Sequence, residues 1–185
     1  MDPVRNKPPQ VAAAMPSAGR ISNGMEIIAV LHNVRSLHNV GSMFRTADAA
    51  GVSKIYLCGI TPAPTDRFGK VIPQLAKVAL GAEKTVPWES VKSPQAVLKL
   101  IKILKKEGYK ILAIEQSEKS IPYYQLKAKS SQLKAVLIMG NEVKGLPKSI
   151  LKNADKILEI PMQGDKESLN VSVAFGIVIF GLLYR

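Results

Sequence analysis

The 185-residue chain has a single cysteine, Cys58, and only two histidines, His32 and His38. Neither a disulfide framework nor a zinc site can be assembled from so few ligands, and a reducing cytosol fits that composition. No secretory signal is expected, because the longest apolar run near the start, Val11 to Met15, is shorter than the ~7 to 15 residues such a segment needs. The nucleotide cradles are missing as well. No GxGxxG follows the first apolar run, which disfavours a Rossmann oxidoreductase. Gly140 and Gly145 have P-loop spacing, yet Leu146 and Pro147 stand where that loop requires Lys and Ser or Thr. Long membrane-spanning runs are lacking too. The most apolar stretch, Val171 to Leu183, is 13 residues, and at ~1.5 Å per residue it covers ~20 Å of a ~30 Å hydrocarbon core. It reads as a core or subunit-interface helix, apolar all round and therefore in need of cover on every side. Acidic side chains are in deficit, 14 against 26 Lys and Arg, leaving a net charge of +12. A polyanionic partner follows from that excess, either nucleic acid or an anionic surface.

The length suits one full-sized core. Residues 1–23 are rich in Pro and Ala without periodicity, the composition of a disordered tail, and residues 24–185 form the expected domain. Glu26 to Leu31 reads as a strand, Asn39 as the N-cap of a helix that closes at Gly51, and Lys54 to Cys58 as a second strand. Strand, helix and strand in about thirty-five residues give the βαβ pattern of a parallel sheet. The Pro- and Gly-punctuated stretch from Gly59 to Pro73 is a loop, and its Arg67 and Lys70 are candidate RNA contacts. A short helix follows from Gln74 to Leu80. Ser93 and Pro94 then open an amphipathic helix that turns Val97, Leu100, Ile101 and Leu104 inward and Lys99, Lys102 and Lys106 outward. Tyr109 to Ile114, Leu133 to Met139 and Ile157 to Ile160 are further strands. Between the first two of these, the adjacent Tyr123 and Tyr124 read as local packing residues.

Three polar clusters stand at the ends of apolar segments: NVGSMFR (Asn39 to Arg45), GNEVKGL (Gly140 to Leu146) and IPMQGDKESLNVS (Ile160 to Ser172). The second opens where a strand closes, the position at which open α/β sheets bind ligands. Ser168 and Asn170 precede the terminal helix, where side-chain oxygens can cap free N–H groups. Taken alone, Asn39 and Arg45 read equally well as a cap and a surface charge. In order and separation, however, the three clusters resemble the motifs of the TrmH/SpoU branch of the SPOUT superfamily, the S-adenosylmethionine-dependent RNA ribose 2′-O-methyltransferases.

The resemblance spans about residues 25 to 185. It implies an α/β fold, with a mostly parallel sheet, helices on both faces and a C-terminal trefoil knot, working as a homodimer without a metal. It implies a minimal version, since the tail leaves no room for the extra RNA-binding domain that some members carry. Asn39, Arg45, Glu142, Ser168 and Asn170 fall on the family's polar active-site positions, and Ile138, Gly140, Ile160, Met162 and Leu169 on the segments that hold the cofactor. The implied substrate is a ribose 2′-hydroxyl of tRNA or rRNA. Arg45 is the residue the family associates with activating that hydroxyl. A guanidinium with a pKa above ~12 is a poor general base, so its expected role is to anchor phosphate and stabilise the forming alkoxide. A non-catalytic RNA-binding or ribosome-assembly protein would carry the same charge without needing the polar triplet.

Overall fold

A computed structural model describes residues 25–126 and 134–184. The expected tail over residues 1–23 and Leu133 lie outside the described residues. In chain order the elements are β1 (Glu26–His32), α1 (Leu37–Ala50), β2 (Lys54–Cys58), α2 (Pro73–Ala79), α3 (Ala82–Thr85), β3 (Trp88–Val91) and α4 (Pro94–Lys106). There follow β4 (Lys110–Ile114), β5 (Ile121–Pro122) with a 3-10 turn at Tyr123–Gln125, β6 (Lys134–Met139), α5 (Lys148–Leu151), β7 (Lys156–Glu159) and α6 (Val171–Leu183).

The strands form one parallel sheet in the order β3-β2-β1-β6-β4-β7-β5. Its middle is explained by composition. After Lys134, every residue of β6 is buried, because helices cover both faces of a parallel sheet and leave no place for a polar alternation. Period-two alternation instead sorts apolar residues between two cores. Ile27, Ala29, Leu31, Leu137 and Met139 meet Phe44 of α1, Leu75 of α2 and Phe175 of α6 on one face. Ile28, Val30, Val136 and Ile138 meet Val97, Ile101 and Leu104 of α4 on the other.

Local chemistry sets the helix ends. Ser93 Oγ accepts the Ala96 N–H at 3.1 Å with Pro94 in the first turn, as expected for α4. Gly51 closes α1 in the left-handed region at φ 70°. The start of α1 differs from expectation: Ser36, not Asn39, is the N-cap, and its side chain accepts the Asn39 N–H at 3.3 Å. Ser36 satisfies the helix end, which frees the Asn39 amide for the use described below. β3 and α3 are additional elements. β3 is an edge strand reading WESV, too polar to show an apolar pattern, and α3 is a single turn. In α4, Leu100 is half-buried while Val97, Ile101 and Leu104 are buried.

Helix α6 buries Val171, Phe175, Val178, Ile179 and Leu182 within the chain, yet Val173 on its other side is 49 % exposed. Tyr123 packs against this helix so closely that a Cβ on Gly181 would lie 2.4 Å from the tyrosine ring. No helix among the described residues is long and apolar enough to cross a membrane. Burial pushes the Cys58 thiol up to about 12, so this cysteine is a protonated core residue. Phe175 is fully buried where α6 meets the sheet. Phe175→Ala should therefore cost about 3 to 5 kcal/mol in urea unfolding, whereas Lys99→Ala on the exposed face of α4 should stay within about 0.5 kcal/mol.

Candidate active site

The strands β4, β6 and β7 end together at one rim of the sheet, and the segments leaving them surround a cavity of about 300 Å³. That volume lies at the lower end of the ~300 to 1,000 Å³ of small-molecule sites. Gly140, Glu142, Ile160, Met162, Ser168 and Leu169 line it, so the second and third clusters converge there. Ile138 does not; it is fully buried one residue pair back along β6, in the core facing α4, while Met139 reaches the cavity. Ser168 makes no cap. Asn170 is the N-cap of α6, its Oδ1 accepting the Ser172 N–H at 2.8 Å.

The first cluster reaches this rim through a relay of side chains. Asn39, in the first turn of α1 and buried, donates from Nδ2 to Glu142 Oε1 at 3.0 Å and accepts at Oδ1 from Asn170 Nδ2 at 3.0 Å. Glu142 also accepts the backbone N–H groups of Arg35 at 3.2 Å and Ser36 at 3.3 Å, which places a carboxylate at the positive end of α1. Partial burial pushes the Glu142 carboxyl up, but bonds from its own backbone, Asn39, Arg35 and Ser36 outweigh it and hold the group below its ordinary value. Glu142 is consequently ionised and acceptor-only at neutral pH. Residues separated by more than a hundred positions are thereby joined in one hydrogen-bonded chain.

The turn that carries Glu142 is tightly built. Asn141 Oδ1 accepts the N–H groups of Val143 and Lys144 at 3.0 and 2.9 Å, and Asn141 Nδ2 donates to the Asn33 carbonyl at 2.8 Å. Gly145 takes φ 61°, a conformation suited to glycine, and a Cβ there would meet the Glu115 carboxylate at 2.2 Å. Glu115, at the end of β4, accepts the Leu146 N–H at 2.6 Å and so fastens the turn to the neighbouring strand. Glu115 and Asn141 were not among the candidates from sequence. For Asn141 the signal was its place beside Glu142 in the second cluster; for Glu115 there was only its position just past an apolar strand.

The cavity wall is acidic, carrying Glu115, Glu142, Glu159 and Glu167 and neither Lys nor Arg. Glu159 is held by the Ser120 hydroxyl, which donates to it at 2.6 Å. Such a wall favours a cationic small molecule, in contrast to the +12 charge of the whole chain. Arg45 lies elsewhere. It is exposed, six residues beyond Asn39 and so about 9 Å along α1 on a different helix face, bordering a second hollow with Asp48, Leu80 and Gly81. No hydrogen bond or ion pair engages its guanidinium among the described residues. Arg67 and Lys70 are exposed on the loop between β2 and α2, away from the cavity lining. His32 is buried at the end of β1 and His38 is exposed in α1; neither borders the cavity. No cluster suited to a metal occurs among the described residues.

Comparison with known proteins places this geometry in a family. The SpoU rRNA Methylase family model matches residues 26–180, and the chain belongs to that family. It is 32% identical over 163 residues to the 23S rRNA (guanosine-2′-O-)-methyltransferase RlmB of Pseudomonas aeruginosa, covering 88% of this chain and 60% of that protein. It is 34% identical over 155 residues to the tRNA (guanosine(18)-2′-O)-methyltransferase of Aquifex aeolicus, covering 84% and 67% of the two chains. Among solved structures, the AdoMet-bound rRNA methyltransferase of Sinorhizobium meliloti superposes with a TM-score of 0.72 at 30% identity, over 85% of this chain and 55% of that one. The chain thus spans about three-fifths of the length of the RlmB relatives it matches.

Gly140 gives the sharpest test of the cavity. A Cβ there would lie 2.7 Å from the Gly145 carbonyl carbon and 2.9 Å from the Leu146 nitrogen, backbone atoms that cannot rotate away. Gly140→Ala should reduce S-adenosylhomocysteine affinity by at least tenfold in calorimetry, the equivalent of about 1.4 kcal/mol, while the circular dichroism spectrum is unchanged.

Proposed function

We propose that this chain is an S-adenosylmethionine-dependent RNA ribose 2′-O-methyltransferase acting on tRNA or rRNA in the cytoplasm as a homodimer. The observation that carries the reading is the acidic cavity formed by the second and third clusters and tied to the first by the relay through Asn39. The residues present suit the cofactor. Ile160, Met162 and Leu169 offer apolar surface to an adenine, Gly140 lets the Gly145–Leu146 turn pack closely against the cavity wall, and the carboxylates complement a sulfonium and an ammonium. When bound, S-adenosylmethionine supplies an electrophilic methyl group on a positively charged sulfur.

The protein's remaining task is to place a ribose hydroxyl in line with that methyl and to stabilise the charge that develops on its oxygen. Asn170 fixes the entrance of α6 and with it the adjoining Ser168–Leu169 segment, while Glu142 holds the opening of α1. Arg45 lies on that same helix, outside the cavity lining, and its exposed guanidinium is available to an RNA phosphate. Arg45 is a donor only, so removal of the hydroxyl proton is left to water or a coupled group.

A trefoil knot at the C-terminus is part of the proposal; family membership supports it, and the return of the chain from β7 to pack α6 against α1 is compatible with it. Dimerisation is supported by α6. Val173 is 49 % exposed in one protomer, and a second copy would cover it. The lone buried thiol of Cys58 agrees with a reducing compartment.

Methyl incorporation into bulk cellular RNA that lacks the modification, measured alongside cofactor affinity, tests the reading. Arg45→Ala should lower the rate about 10²- to 10³-fold with cofactor affinity unchanged, whereas Asn170→Ala should weaken both. Full activity in Arg45→Ala would refute the assigned role. Tight cofactor binding without transfer to any RNA would favour a non-catalytic assembly protein.

A further inference from the structure

Among the aromatic side chains, Phe68 is the most exposed, 78 % accessible at the tip of the loop between β2 and α2. A single exposed apolar residue is ordinary; the construction beneath this one is not. Asp66 Oδ1 accepts the N–H groups of both Phe68 and Lys70, at 2.8 and 2.9 Å, and the Asp66 N–H donates to the Lys70 carbonyl at 2.9 Å. Thr65 and Val71 pair as an antiparallel bridge below the tip, and Gly69 makes the reversal at φ 79°. The backbone is therefore held in a small hairpin that cannot fold inward to bury the ring. The Arg67 guanidinium stands over the ring, 4.6 Å from its centroid. The backbone engages Asp66 Oδ1, and Arg67 and Lys70 are exposed on either side of the ring.

The root of the loop belongs to the same rim as the cavity. Thr61 Oγ donates toward the Leu31 and Cys58 carbonyls at 2.8 Å and accepts the Val34 N–H at 3.1 Å. Asn33 accepts the Ile60 N–H at Oδ1, 3.1 Å away, and its carbonyl receives the Asn141 amide of the turn that carries Glu142. The root of the loop is thus fastened to the rim of the site, and the tip stands outside the cavity lining.

We propose that the Arg67–Phe68 tip is a stacking platform for an unpaired base of the RNA substrate, with the Phe68 ring against the base and Arg67 and Lys70 on the flanking phosphates. The inference rests on the RNA reading above and adds to it a residue and a preference. Only an unpaired base has a free face for a ring on a loop tip, whereas the bases of a helix are already stacked on each other. An uncharged ring also predicts a distinctive signature, because its contribution carries no counterion release.

The test uses the full chain with a mixed-sequence single-stranded oligoribonucleotide containing 2-aminopurine and with a fully paired RNA duplex of equal length. The unaltered protein should bind the single strand more tightly and change its 2-aminopurine fluorescence. Phe68→Ala should weaken single-strand binding about tenfold to a hundredfold, leave duplex binding and the slope of log affinity against log salt unchanged, and leave cofactor affinity intact. Phe68→Trp should retain binding. Arg67→Ala should instead flatten the salt slope by about one phosphate contact. Unchanged single-strand affinity in Phe68→Ala would overturn the inference, as would a loss that brings a change in salt slope or a dissociated oligomer in light scattering, which would make the tip a subunit contact. If the unaltered protein binds neither RNA, the RNA reading itself fails and the inference with it.

Discussion

The side-chain amide of Asn39 stands between an anion and another amide, and the direction of its two hydrogen bonds is set by the anion. Glu142, ionised and able only to accept, turns the Asn39 Nδ2 toward itself. The Asn39 oxygen must then face Asn170, whose own Nδ2 supplies the donor. That leaves the Asn170 Oδ1 to accept from the Ser172 N–H and hydroxyl, at 2.8 and 2.6 Å, and so to cap α6. A charge on the turn after β6 thus fixes the polarity of a relay that ends in the cap of the last helix. Because partly buried polar groups cost free energy when left unpaired, replacing any one member leaves its neighbours with a donor or acceptor facing nothing suitable.

Around this relay the chain separates its charges. The cavity wall is carboxylate-rich and free of basic side chains, while the excess of Lys and Arg lies outside it, as with Arg45, Arg67 and Lys70. Separation of this kind suits two ligands of opposite character, a small cation held at the strand ends and a polyanion on the surface beside it. It also explains how one chain can have a strongly positive charge and still offer an acidic pocket.

How much of this could be read in the sequence depended on the range over which each feature is determined. β2 and the ends of α4 and α6 follow from local chemistry: KIYLC is bounded by Gly51 and Gly59, Ser93 and Pro94 form a cap pair, and the apolar run after Asn170 is a helix, although the cover expected on every side is missing at Val173. The start of α1 was misplaced because both Ser36 and Asn39 are good caps in isolation, and the choice is made by Glu142, more than a hundred residues away. β3 was missed because an edge strand is stabilised by its neighbour's ladder and needs no apolar alternation. Family resemblance named the polar positions as a set of motifs, but not their relations. That Asn39 binds both Glu142 and Asn170 and that Glu115 fastens the Leu146 N–H are consequences of the sheet order, which the motifs do not encode.

The polarity of the relay is the claim on which the rest depends, and a charge exchange tests it directly. Asn39→Asp sets a second acceptor-only group against Glu142, while the pair Asn39→Asp with Glu142→Gln restores a donor opposite an acceptor and keeps an oxygen for Asn170. The measurement is S-adenosylhomocysteine affinity by calorimetry across the four proteins of this double-mutant cycle. The relay requires a marked loss in Asn39→Asp that Glu142→Gln largely reverses, with a coupling on the order of 0.5 to 3 kcal/mol. Losses that simply add would show that the three clusters are neighbours rather than one hydrogen-bonded unit.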